Sequence, residues 1–207
     1  MSSLEMKLKK LERDILEGPH RISVYDDMPY TIFLYTPEDE WNLRREIEGL
    51  IIRLSHKGKN VTKISFENLM WDLFKEVDSV DPGEGLTALI EAERTMGFSY
   101  TEETIQKYLS GEVFGKEGIS IIDSLQKHAA NLDPKKDVIF LVHTGAFAPH
   151  FFQVSSMVER LQGKKINIPI IFFYPGTKEG TIGLRFMDLR DREPTGNYRV
   201  SIYGDEV

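Results

Sequence analysis

The stretch "YTIFLYTPEDEWNLRREIEGLIIRLSHKGKN", Tyr30 to Asn60, decides the fold because it carries a strand, a junction and a helix in immediate succession. Its first six residues are β-branched or aromatic without polar alternation, the pattern of a strand buried on both faces in a parallel sheet. Thr36 stands where a helix is capped and Pro37 at the first helical position. Glu38, Asp39 and Glu40 lie where the positive end of the helix dipole favours carboxylates. Leu43, Ile47, Leu50, Ile51 and Leu54 then recur on one helical face to about Ser55, and His56-Lys57-Gly58 ends it with the cations and glycine such termini favour. The stretch is a strand–helix unit.

Outward from it the unit repeats. Val61 to Ser65 reads as a short strand, and Phe66, Leu69, Met70, Leu73, Phe74 and Val77 as a helical stripe. Val138 to Val142 predicts a third strand, followed by a helix carrying Phe151, Val154, Val158 and Leu161. "IPIIFFY", Ile168 to Tyr174, predicts a fourth strand. Parallel neighbours need crossover connections, so this alternation predicts a mainly parallel sheet with helices on both faces, an α/β domain of Rossmann-like or P-loop-like type spanning residues 1–207. Residues 78–118 are polar and broken by glycine. Leu86, Leu89 and Ile90, then Ile105, Tyr108 and Leu109, nevertheless keep helical spacing and predict a helical insertion. Gly183 to Leu189 and Tyr198 to Tyr203, around the turn "EPTGN", read as an antiparallel hairpin at one sheet edge. At the start, Leu4, Leu8, Leu11 and Ile15 form the stripe of an amphipathic helix over residues 1–18, stopped by Gly18-Pro19. That stripe docks either on its own domain or on a partner.

The composition narrows the function. With no cysteine, a thiolate metal site, a disulfide scaffold and a cysteine nucleophile are all excluded. A formal charge of −7 opposes sequence-independent capture of nucleic acid, which depends on cations neutralising phosphates. No apolar run reaches transmembrane length and the first residues lack the pattern of a signal peptide, so a cytoplasmic protein without membrane contact is expected.

Ligands of open α/β sheets bind beyond the carboxyl ends of the strands. Those ends are Thr36-Pro37, Ser65-Phe66, His143-Thr144-Gly145 and Tyr174-Pro175-Gly176. No G-x-x-x-x-G-K-[ST] loop is present, and the carboxylates after Thr36 occupy the helix end a phosphate would need. Asp39, Glu40 and Glu67 are oxygen donors suited to a hard cation, but dipole complementation accounts for acidic first turns without one, so neither a metal nor a cofactor is expected. Thr144, Ser155 and Ser156 beside His143 and His150 do not make a catalytic set, and no G-x-S-x-G elbow occurs. A strand-end groove built from His143, Thr144, Gly145, Tyr174, Pro175, Gly176 and Lys178 remains as one candidate contact region. The leucine stripe and an edge bearing Arg185, Arg190, Tyr198, Arg199 and Tyr203 are the others, since arginine with tyrosine suits a protein or nucleic-acid interface. In "FFYPGTKEGTIGLRF" the glycines serve better as bends than as a phosphate cradle, because Glu179 lies among them.

Taken together, "YTPEDEWNLRREIEGLI", "KNVTKISFENLMWDLF", "VIFLVHTGAFAPHFFQVSSMVERLQ", "IPIIFFYPGT" and "NYR" resemble the BrxB family, encoded in bacterial and archaeal BREX phage-defence operons. The resemblance runs from about Glu5 to Tyr203. Gly145 and Pro149 match positions the family usually keeps, whereas Asn197-Tyr198-Arg199 departs from its commoner tyrosine-tyrosine-arginine. The resemblance implies a role in a complex that distinguishes and blocks phage DNA, alongside a methyltransferase, a large ATPase and a phosphatase-like PglZ protein. It implies a non-enzymatic accessory or scaffold subunit, with the PglZ-type protein as partner and DNA met only through the complex. A degenerate nucleotide-binding or hydrolytic domain and a DNA-contacting subunit are the alternatives.

Overall fold

A computed structural model of the chain describes residues 3–23, 29–111, 119–147, 154–162, 164, 166–180, 183–189, 195–196 and 201–203. The described elements are α1 (Ser3–Glu17), α2 (Pro19–Ile22), β1 (Tyr30–Tyr35), α3 (Glu40–His56), β2 (Asn60–Ser65), α4 (Phe66–Val80), α5 (Leu86–Met96), α6 (Phe98–Ser110) and α7 (Ile121–Ala129). They continue with β3 (Asp137–Val142), α8 (Val154–Gln162), β4 (Ile170–Glu179), β5 (Gly183–Phe186), β6 (Thr195–Gly196) and β7 (Ser201–Tyr203). Short 3-10 turns at Pro37–Asp39 and Thr144–Phe147 follow β1 and β3.

The expected architecture is present. Strands pair in the order β2-β3-β4-β1-β7, all parallel, and every residue of β1 is buried, as its apolar run requires. Alternate residues divide between two cores. Ile32 and Leu34, Ile139 and Leu141, and Ile170 and Phe172 face α4, α7 and α8. Phe33, Phe140 and Phe173 face α1 and α3 across the other side, with Phe173 in ring contact with both of the others. This period-two division of continuous apolar runs is what two helix-covered faces demand.

Three local expectations change. Thr36 does not cap α3; its hydroxyl donates to Asp39 Oδ2 at 2.9 Å, the chain passes through a 3-10 turn, and the helix starts at Glu40. β4 does not stop at Tyr174. Its parallel pairing with β1 runs to Pro175, and from Gly176 it continues as an antiparallel arm against β5. β5 pairs antiparallel both with this arm and with β6, Gly183 opposite Gly196, so the expected C-terminal hairpin is present with β6 as its second strand, while β7 joins the sheet edge parallel to β1, in register Thr31 with Ser201. Pro175 explains the handover: with no N–H of its own it ends one ladder, and its carbonyl accepts from Met187 N at 2.9 Å in the next. Gly176, at φ 155, must be glycine because a Cβ there would lie 2.1 Å from the Arg185 carbonyl oxygen.

The leucine stripe is core. Leu4, Leu8, Leu11 and Ile15 are buried against the α3 side of the sheet, so docking on its own domain is realised and the stripe offers nothing to a partner. Glu12 fixes α1 in place, accepting from Arg53 Nε at 2.7 Å and Lys57 Nζ at 2.8 Å on α3. Burial alone would raise the Glu12 carboxyl, but the bonds and charges of Lys57 and Arg53 outweigh it and hold it below its ordinary range. The described part of the insertion carries two helices, α5 and α6, packed on Phe74 of α4 through Leu89 and Tyr108, and residues 112–118 lie outside the described residues.

Candidate groove at the strand ends

The carboxyl ends of β1, β2, β3 and β4 converge on a groove with two lobes. One, about 400 Å³, lies between α3 and the sheet and is lined by Tyr35, Trp41, Lys63, Val142 and Phe173 among others. The second, about 650 Å³, lies over the strand ends and is lined by Pro37, Glu67, Trp71, Gly145, Pro175 and Met187. Glu40, Arg44 and His143 line both, so the lobes share one wall.

That wall is organised by hydrogen bonds. Glu40, at the first turn of α3, accepts from the Tyr35 hydroxyl and from Arg44 Nε, the latter at 2.7 Å. Burial and the adjacent Glu40 carboxylate push the Tyr35 phenol well above its ordinary value, so it stays a donor. Arg44 stacks its guanidinium over Trp41, 5.0 Å from the ring centroid. One helical turn thus presents carboxylate, guanidinium and indole as a fixed set.

His143 sits where β3 ends, at φ 57, a left-handed conformation uncommon outside glycine. Met187, on the facing wall, is left-handed as well, at φ 52. Such backbone outliers concentrate at ligand clamps and active sites. The His143 Nδ1 lies 3.0 Å from the Ser65 hydroxyl, across β2–β3. Burial lowers the imidazole below its ordinary value, with the Arg44 charge adding to the effect and Glu40 opposing it, so His143 is neutral at neutral pH.

The expected site residues separate under this geometry. His143, Gly145 and Pro175 line the groove. Thr144 is fully buried, its hydroxyl donating to the Phe173 carbonyl at 2.6 Å, so it ties the 3-10 turn to β4 and is unavailable to a ligand. Tyr174 is buried edge-to-face against Phe186. Gly176 and Lys178 belong to the hairpin arm, opposite Phe186 and Leu184, because β4 continues past the expected strand end. Of the edge set, Arg185 is ion-paired with Glu179 and donates to the Leu189 carbonyl, so its charge is spent within the hairpin. Tyr203 is buried, with its hydroxyl on Asp14. Arg190, Tyr198 and Arg199, like His150 and Pro149, lie outside the described residues. Among the described residues no group of three or more His, Asp or Glu converges as a metal would require.

Sequence reasoning passed over Trp41, Trp71, Arg44 and the Ser65–His143 contact. The signal for the tryptophans was their number: the chain has two, and both stand at this groove, 78% and 40% exposed. Neither belongs to the apolar stripe of its helix, so the helical spacing gave them no place.

Comparison with family models matches residues 62–201, roughly two thirds of the chain, to the BREX protein BrxB. The chain belongs to the BrxB family. It is therefore a component of BREX phage defence. The matched segment supplies the β2, β3 and β4 walls of the groove, with Trp71 and His143, while β1 and the Glu40–Arg44 turn precede it. The comparisons return no curated protein and no solved structure similar to the chain. No helix among the described residues is long and apolar enough to cross a membrane.

Proposed function

We propose that this BrxB-family chain is a non-enzymatic accessory subunit that holds the PglZ-type protein of its BREX complex in the strand-end groove, meeting DNA only through that complex. The observation that supports the reading is the pair of exposed tryptophans on one groove, with Arg44 already stacked on Trp41. Tryptophan and arginine are the residues most enriched at the energetic centres of protein interfaces, and a pre-arranged pair loses little freedom on binding. The lining suits a polypeptide better than a phosphate. Apolar Val142 and Phe173 line the first lobe, and of its cations Arg44 is paired with Glu40 and Lys63 with Glu48.

Co-expression of the full chain with the PglZ-type protein of its operon tests this. The wild type co-elutes with it at moderate salt, and Trp41→Ala/Trp71→Ala weakens the complex at least tenfold. Absence of co-elution, or equal binding by the variant, overturns the proposal.

A second reading, a hydrolytic domain, rests on the Ser65–His143 contact: a hydroxyl beside a neutral imidazole is the start of a nucleophile–base pair. A fluorophosphonate probe that labels the wild type but not Ser65→Ala would favour it. An unlabelled wild type removes it.

A further inference from the structure

The insertion is the most exposed helical part of the described chain. Leu89 is the one buried residue of α5. At the junction with α6, Met96, Phe98 and Tyr100 are 65%, 55% and 48% exposed, grouped around Gly97, whose φ of 88 lets one residue join the two helices. Helices of this length draw most of their stability from burying a face, and here the apolar tip is left uncovered.

The insertion is also acidic. Between Asp78 and Ser110 stand seven carboxylates and two cations; Asp78, Asp81 and Glu84 lie at the base, while Glu91, Glu93, Glu102 and Glu103, with Arg94 among them, lie toward the tip. Among the described residues, ion pairing within α5 and α6 is confined to Lys107 with Glu103, at 2.7 Å. Glu91, Glu93 and Glu102 therefore present their charge to whatever approaches.

Hydrogen bonds tie the base of the hairpin to α4. Asp78 accepts from Gly85 N at 2.9 Å and Leu86 N at 3.1 Å, closing the first turn of α5, and the Tyr108 hydroxyl donates to the Glu84 carbonyl. Gly85 allows the close approach, since a Cβ there would lie 2.5 Å from Asp78 Cγ and the Phe74 carbonyl oxygen. An apolar tip with carboxylates on the helices behind it, on a hairpin whose base is fixed, suits association with a complementary surface.

We propose that the α5–α6 tip is a second docking surface, separate from the strand-end groove, for a partner protein that presents a basic surface around an apolar cleft. Complementary charge selects that occupant. Nucleic acid meets carboxylates rather than cations, and a second copy brings the same negative field to the contact. With two surfaces, the chain bridges two proteins.

The test uses the full chain against the PglZ-type protein, the large ATPase and the methyltransferase encoded with it, each purified, at low and physiological salt. One of them binds the wild type with an affinity that falls as salt rises. Glu91→Lys/Glu93→Lys/Glu102→Lys and Met96→Ala/Phe98→Ala/Tyr100→Ala each weaken that binding at least tenfold, whereas Trp41→Ala/Trp71→Ala does not. All substituted positions are at or near the surface, and circular dichroism verifies folding of each variant. Wild-type affinity in both hairpin variants overturns the inference while leaving the groove reading intact; loss of all binding in the tryptophan variant alone does the same. Self-association that the tip variant abolishes, or DNA binding by the tip, overturns it in favour of those occupants. If no subunit binds the wild type, both readings fall.

Discussion

The Tyr203 hydroxyl donates to Oδ2 of Asp14 at 2.9 Å, joining the edge strand β7 to helix α1 across 189 residues of sequence. Both side chains are buried, and the same hydroxyl lies 3.4 Å from the Arg21 carbonyl. Burial and the neighbouring carboxylate raise the phenol well above its ordinary value, so it remains a donor across the accessible pH range. Tyr203→Phe leaves the Asp14 carboxylate short of a buried partner, which costs about 1–3 kcal/mol in urea denaturation. An unchanged midpoint would show that Arg13, 3.2 Å from Asp14, satisfies it alone.

Because Leu8 is buried between α1 and the sheet, its substitution reads out folding rather than partner contact. Leu8→Ala destabilises by about 2–5 kcal/mol. Leu8→Asp places a charge in the same core and abolishes cooperative unfolding. A folded, fully stable Leu8→Asp protein would mean that α1 is dispensable to the core.

Gly176 marks the handover of β4 from one ladder to the other. Gly176→Ala drives a methyl group onto the Arg185 carbonyl and forces a disfavoured φ, so it lowers thermal stability by more than about 1 kcal/mol. Gly180→Ala is the control, since its Cβ meets nothing within 4 Å and only its φ of 64 is strained. Equal losses in the two would refute the role of the close approach.

His143 gives the stability a pH dependence of known sign. Its folded pKa lies below 6.5, so the unfolded chain binds a proton there that the native protein refuses. Stability falls as pH drops from about 6.5 to the folded value, where this contribution is exhausted. His143→Asn tolerates the left-handed backbone and removes that slope. Glu12 and Asp123 are held low by bonds that outweigh their burial, and their loss comes at lower pH, below 4.5 and 3.8. Denaturation midpoints from pH 7 to 4 in both proteins check this; a parallel pair of curves would sink it.

The two tryptophans report on the groove directly. Trp41 is 78% exposed, so acrylamide quenches its native emission nearly as well as in the unfolded chain, whereas Trp71, 40% exposed and edge-on to Phe74, is partly shielded. Occupation of the groove by a partner without tryptophan shifts the emission to the blue and reduces quenching. Trp41→Ala changes stability by no more than about 0.5 kcal/mol, as expected of a side chain 78% exposed. Native emission that resists quenching would contradict the exposed geometry.

The amino-acid sequence by itself determined which segments become strands and helices, because that information is local. Continuous apolar runs such as Tyr30–Tyr35 and Val138–Val142 require two covered faces, and the spacing of Leu43, Ile47, Leu50 and Leu54 requires one helical face. Its motifs also carried the family. Tertiary structure alone decided the strand order β2-β3-β4-β1-β7 and the parallel docking of β7, since register depends on pairing between distant segments. It also decided that the leucine stripe is core and that Tyr203 is its anchor, because a periodic stripe states that burial is needed without naming the surface that provides it. The groove was half legible. Ser65, His143, Gly145 and Pro175 follow from the rule of strand ends, but Trp41, Trp71 and Arg44 join them only when α3, α4 and the strands are assembled. Helical spacing places Trp41 and Trp71 off the buried stripes but does not say which groove they border.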